Sequence, residues 1–103
     1  MSSIQNIDSC PKYISDFINH NLDDLCTIYD EGMEMNPDLE KGILVFLCSQ
    51  DNNKMDVQFM NDEMMCEILA KESVMNLKNN IQENKKLLFI QDLDRNSVFL
   101  IQV

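Results

Sequence analysis

Ile43-Leu44-Val45-Phe46-Leu47-Cys48, then Ser49-Gln50-Asp51-Asn52-Asn53-Lys54, then Met55-Asp56-Val57-Gln58-Phe59, is the stretch on which the fold turns. The first six residues are apolar at every position, the pattern of a strand covered on both faces. The middle six are turn chemistry. In the last five, Met55, Val57 and Phe59 alternate with Asp56 and Gln58, as in a strand with one face in water. A hairpin is the economical connection between the two strands.

Working outward, Ile14, Phe17, Ile18, Leu22, Leu25, Ile28 and Tyr29 recur at three- and four-residue spacing. This stripe predicts one amphipathic helix from about Pro11 to Glu31, with Gly32 as its left-handed stop and Met33–Glu40 as a connector. After the hairpin, Asn61 or Asp62 can cap a second helix running to about Asn84. Its stripe is Met65, Cys66, Leu69, Ala70, Val74, Leu77 and Ile81, with Ile68 and Met75 beside it. The chain closes on a second hairpin, in which Leu87–Gln91 and Val98–Val103 flank the turn Asp92–Ser97. The order α-β-β-α-β-β predicts a single α+β domain: an antiparallel sheet with the helices packed on one face. Within it, residues 1–40 form an acidic helix and connector, and residues 41–103 form a ββαββ body.

Charge divides the chain along the same line. The 103 residues carry a formal net charge of −10. Residues 1–40 contain nine acids against Lys12 alone, whereas residues 41–103 contain nine acids against seven bases. Such a field repels nucleic acid and anionic lipid and favours a basic protein surface, while also serving solubility. The longest apolar run, Ile43–Cys48, is far short of a bilayer span, and Met1–Asn6 has neither a basic start nor an apolar stretch. Cys10, Cys26, Cys48 and Cys66 form no C-x-x-C pair and read as reduced thiols. An intracellular location, cytoplasmic or nuclear, is expected.

Tests for chemistry return little. Asp92-x-Asp94-x-Asn96 begins like a calcium loop, but Ser97 stands where the sharp-turn Gly belongs and Val103 where the bidentate Glu belongs. His20 is the only histidine and has no Cys or His at ligating spacing. Cys26, six residues further on, falls nearly opposite it on a helix, so no Cys–His pair is offered. Asp23-Asp24 and Asp62-Glu63 are neighbours in sequence, which does not make a pair of carboxylates facing across a cleft. Two glycines cannot build a phosphate-cradling loop. No catalytic, cofactor or metal site is expected.

The stretch Phe89-Ile90-Gln91-Asp92-Leu93-Asp94-Arg95-Asn96-Ser97-Val98-Phe99-Leu100-Ile101 resembles the central hairpin of the smallest core subunit of the transcription and repair factor TFIIH, with its F-I-I-Q-D-[IL]-D-D-T-H-V-F-V pattern. Lys41-Gly42-Ile43-Leu44 is similar to the K-G-x-L start of that family's first strand. The chain departs from the pattern where Ser49-Gln50 follows Cys48 in place of Asp-Pro. It also has about twenty extra residues between the motifs, no final helix after Val103, and an acidic first forty residues. The resemblance implies a non-enzymatic subunit that pairs its sheet with a partner's sheet. Gln91, Asp92 and Asp94 would shape the turn, and Val98 and Phe99 would lie in or near the paired sheet.

The expectation is therefore a non-catalytic protein-binding adaptor, a homo- or heterodimer through a sheet edge at Val98–Val103. A rival is a small acidic inhibitor of parasite or viral type, an origin to which the frequent Asn, Ile and Lys of an AT-rich genome point. Its helix, through Asp16, Asp23 and Asp24, would block a basic surface on a host or ribosomal target.

Overall fold

Two strands without a polar face need cover above and below, and this requirement organises the computed structural model, which describes residues 7–103. Met1–Asn6, read above for targeting signals, lies outside the described residues. β1 (Ile43–Ser49) is buried along nearly its whole length, as is β3 (Leu87–Asp92). They lie side by side and parallel, Ile43 opposite Leu87 and Cys48 opposite Asp92. β2 (Lys54–Met60) pairs antiparallel with β1 on the outside, and β4 (Ser97–Gln102) pairs antiparallel with β3. The sheet is thus four-stranded, in the order β2-β1-β3-β4.

Both hairpins form where the turn chemistry places them, with Asn53 and Asn96 taking positive φ in the two turns. Two expectations are corrected. The sheet is mixed rather than purely antiparallel, because the hairpins dock through their fully apolar strands, and the long β2–β3 connection is ample for a parallel crossover. The helices lie on both faces rather than one, because β1 and β3 would otherwise leave Ile43, Val45, Leu87 and Phe89 in water.

On the first face, α1 (Lys12–His20) and α2 (Leu22–Met35) cover the sheet. Ile14, Ile18 and Leu25 pack on Leu44, Phe46, Leu88, Ile90 and Ile101, and Phe17 meets Phe46 edge-on at 6.1 Å. The single helix expected over Pro11–Glu31 is broken at Asn21, which leaves helical geometry at φ −124°. Its side-chain amide donates to Phe17 O at 2.8 Å, a local bond that competes with the helix ladder.

Gly32 does not end the helix. It lies inside α2, neither glycine has a positive φ, and the chain turns instead at Asn36, whose Nδ2 donates to Gly32 O at 2.8 Å. Both glycines serve Phe59. A Cβ on Gly32 or on Gly42 would fall inside contact distance of its ring, so the ring fits between α2 and the start of β1 only because neither residue has one. Tyr29 closes the arrangement, its ring edge-on to Phe59 at 5.7 Å and its hydroxyl accepting from Gly42 N at 3.3 Å.

On the second face the long helix expected over 61–84 is also broken. α3 (Asp62–Met65) is one turn, capped by Asn61 Oδ1 on Met64 N at 3.0 Å, and α4 (Lys71–Asn79) follows after a bend. Met65 and Val74 are both buried against the sheet. Nine residues apart, they would point to opposite sides of one continuous helix of about 3.6 residues per turn. Breaking the helix lets both face inward, together with Ile81. The cover is partial: Ile68, Met75 and Val98 stay exposed on this side of the molecule.

Candidate binding surfaces

Tyr13, Cys48, Asp92 and Arg95 converge where β1 and β3 end. The Asp92 side chain is fully buried; Oδ1 accepts from Tyr13 Oη at 3.1 Å and from Asp94 N at 3.2 Å, and Oδ2 accepts from Arg95 at 2.8 Å. The Arg95 guanidinium also lies over the Tyr13 ring, 5.7 Å from its centroid. Burial, then the neighbouring Cys48 and Asp92, push the Tyr13 hydroxyl well above the ordinary tyrosine range, so it stays protonated and donates. Burial pushes the Cys48 thiol up as well, against the opposing hydrogen bond from Tyr13. Its Sγ donates to Gln91 O at 3.3 Å. No buried side-chain nitrogen or oxygen here lacks a hydrogen-bond partner, and a protonated thiol offers no nucleophile. The cluster ties α1 to the ends of β1 and β3.

Asp94 extends this tie. Oδ1 accepts from Ser49 Oγ at 2.6 Å, and Oδ2 accepts from Gln50 N at 2.7 Å and Asp51 N at 3.2 Å, so one carboxylate clamps the neighbouring hairpin turn. The Ser49 bond first, then the backbone amides, hold Asp94 below the usual carboxylate range. The Asp92-x-Asp94-x-Asn96 motif is therefore turn and clamp. Among the described residues no group of three or more His, Cys, Asp or Glu is placed to hold a metal ion.

The acidic residues singled out from sequence do not form one group. Asp16 lies on α1 and pairs with Lys12 at 2.8 Å, while the Nδ1 of His20 donates back to Asp16 O at 2.6 Å. Asp23 and Asp24 open α2 beyond the Asn21 break, where they face the positive end of the helix dipole. Asp30, Glu31 and Glu34 continue along its exposed side, and no carboxylate of α2 has an ion-pair partner among the described residues. No basic residue sits in the last turn, so Glu31 and Glu34 face the negative end of the dipole uncompensated.

Val98 and Phe99 lie on β4, an outer strand of the sheet. Gln91 is opposite Val98, and Ile90 is opposite Phe99. Lys86 and Val103 exchange both backbone hydrogen bonds, at 2.8 and 2.9 Å, which sets the alternation for the pair. Phe99 and Ile101 therefore turn their amides and carbonyls towards β3, whereas Val98, Leu100 and Gln102 turn theirs outward. β4 carries no charged residue, while β2, the other outer strand, carries Lys54 and Asp56. Beside β4, on the α4 side, lies a groove of about 320 Å³ lined by Leu69, Leu77, Phe89, Val98 and Leu100, with Ser73, Asn76 and Asn80 on one wall. Val98 is half exposed, and Phe99 is half-buried on the opposite face.

The structure thus gathers Gln91, Val98 and Phe99 about the β3–β4 pair, draws Asp92 and Asp94 into holding the fold, and divides the rest, with Asp16 on α1 and Asp23 and Asp24 on α2. Tyr13 escapes a reading by pattern, because it stands 79 positions from its Asp92 partner and no local period announces such a contact, whereas Arg95 lies only three positions from Asp92. No helix among the described residues is long and apolar enough to cross a membrane. Comparison with family models, with curated proteins and with solved structures finds no match to this chain.

Proposed function

We propose that this chain is a non-catalytic protein-binding subunit that takes an extended segment of a partner as an added strand along β4. The observation that carries the reading is the outward row of amides and carbonyls at Val98, Leu100 and Gln102, on an outer strand without charge. Soluble proteins blunt exposed edges with lysines, prolines or bulges, as Lys54 and Asp56 do on β2; an edge left uncharged is suited to being covered. Main-chain hydrogen bonds supply affinity in such a complex, and pockets for alternate side chains supply specificity. Partner residues opposite Val98 and Leu100 fall on the α4 side, over the apolar groove. The non-catalytic part of the reading is supported by the Tyr13–Cys48–Asp92–Arg95 cluster, in which the Tyr13 hydroxyl and the buried Asp92 carboxylate are engaged within the protein.

A narrower form of the proposal, an accessory subunit of a TFIIH-type transcription and repair complex in the nucleus, is supported by the residues quoted above alone. Recovery of TFIIH subunits with the tagged chain would support it. The acidic-inhibitor reading shares the protein-binding class but uses Asp16 on α1 and Asp23 and Asp24 on α2; its complex should weaken steeply with salt, whereas strand addition should change little.

The test is Val98→Pro, which removes an outward N–H without touching the β3 ladder, a position where edge strands accept proline. The variant is expected to keep the far-ultraviolet spectrum and unfolding midpoint of the wild type and to lose partners recovered from native cells. In the wild-type complex, the Val98, Leu100 and Gln102 amides should gain protection from hydrogen exchange. A partner that binds with those amides still exchanging freely refutes strand addition.

A further inference from the structure

At the β2 edge of the sheet, across the molecule from β4, two hollows meet. One, of about 270 Å³, is lined by Ile28, Gly32, Met35, Phe59 and Met64, with Glu31 among its residues. The other, of about 400 Å³, is lined by Met35, Pro37 and Leu39, with Asp38, Asp62 and Glu63. Met35, Asn36 and Asn61 belong to both, so the two are continuous. The saddle between them is held in place: Asn61 Nδ2 donates to Asn36 Oδ1 at 3.0 Å, Asn36 Nδ2 to Gly32 O at 2.8 Å, and Met64 N to Asn61 Oδ1 at 3.0 Å.

The surface has an apolar floor and an acidic rim. Met35 is 83% exposed and Met64 40%, the former the most exposed large apolar side chain among the described residues. Methionine is unbranched and polarizable, and adapts its shape to what it meets. No lysine or arginine lines either hollow. Asp62 is paired with Lys78 at 2.6 Å, while Glu31, Asp38 and Glu63 have no ion-pair partner among the described residues. The unpaired carboxylates of α2 raise the negative potential over the same side.

We propose that this double hollow docks a basic amphipathic helix of a protein partner, with one or two large apolar side chains seated on Met35, Met64 and Phe59. Its lysines or arginines meet Glu31, Asp38 and Glu63. An apolar stripe with flanking cations is the arrangement that satisfies floor and rim together. The net charge of −10 disfavours a second copy of this chain as the occupant, and the same rim repels nucleic acid and anionic membrane. The site is independent of the β4 edge: it would let one chain hold two partners at opposite edges of its sheet.

The probe is a synthetic amphipathic helix of leucine and lysine, titrated into the full chain beside a version with glutamate for lysine and a scrambled version. Binding is read by anisotropy and by the methyl NMR signals of the methionines. The Met35 and Met64 methyls should shift, while that of Met65, which is fully buried, stays in place. Met35→Gln with Met64→Gln should weaken binding about tenfold or more, which is about 1.4 kcal/mol. Glu31→Lys with Glu63→Lys should weaken it comparably, and raising salt from about 50 to about 200 mM should weaken it further. Val98→Pro should leave it unchanged. The proposal is overturned if the lysine peptide does not bind, if the glutamate or scrambled version binds equally, or if Asp23→Lys with Asp24→Lys abolishes binding while the methionine pair has no effect.

Discussion

Replacing Gly32 with alanine should destabilise this protein, although the same change inside an unencumbered helix stabilises. Gly32 lies within α2 and has no positive φ, so alanine is conformationally welcome there. Glycine in a helix interior is worse than alanine by about 0.5–1 kcal/mol, and that gain is available in principle. Against it, the new methyl would fall inside contact distance of Phe59 Cγ and both Cδ atoms. The ring cannot retreat freely, because Gly42 gives it room on its other side by the same device and Tyr29 meets it edge-on at 5.7 Å. Forcing an extra methyl into such a site costs about 1–3 kcal/mol. The net expectation is a loss of roughly 1 kcal/mol in wild type, at most about 2.5, and a gain of about 0.5–1 kcal/mol when Phe59 is already alanine. The sign therefore inverts between backgrounds, with a coupling energy of about 1–3 kcal/mol. Urea unfolding followed by circular dichroism on the four proteins of the cycle measures it, provided the slopes agree. Stabilisation by Gly32→Ala in the wild-type background would refute the packing argument, as would additive effects across the cycle.

Tyr13→Phe removes the hydroxyl that serves the buried Asp92 carboxylate and should cost about 1–2 kcal/mol in urea unfolding. Arg95→Ala leaves the fully buried Asp92 carboxylate without its cation and should cost at least as much, with part of the loss offset by water reaching the half-exposed Arg95 site, so an unchanged urea midpoint would contradict the geometry. Asp94 binds its proton less readily folded than unfolded, so its contribution is complete above the ordinary carboxylate value of 3.8 and disappears as pH falls through the lower folded value. Lowering pH from about 6 to about 3 should therefore reduce the urea midpoint, and Ser49→Ala should make that fall shallower. Among the thiols, exposed Cys66 should react first with a disulfide reagent, and buried Cys48, held protonated, only on unfolding; early labelling of Cys48 would place it wrongly.

Local patterns made much of the fold legible. The uninterrupted apolar run at Ile43–Cys48 announces a strand covered on both faces, Leu87–Gln91 announces a strand of the closing hairpin, and the alternation over Met55–Phe59 announces a strand with one face in water. Asn61 is readable as a cap, and Val98–Val103 as a candidate edge. Helix continuity was not legible, because periodicity measures which side of a helix is apolar and not which residues meet the same surface. Asn21 and the bend after Met65 interrupt stripes that look continuous in sequence, since both pieces of each must reach one sheet. The acidic residues were visible as a composition, but their division between α1 and α2, and the neighbourhood of Glu31 to Met35 and Met64, depend on where the helices dock.

Local pattern and composition are enough for an α+β domain with two hairpins, an acidic first third, and a last strand without charge. Each of these is carried by side chains within a few positions of one another, which pattern and composition can read. Contacts across the chain, by contrast, join the hairpins through parallel β1 and β3 and put helices on both faces. They also set Asp92 against Tyr13 and make two glycines leave room for one phenylalanine ring. These depend on contacts between distant residues, where burial and close packing select one arrangement among several that the local pattern allows.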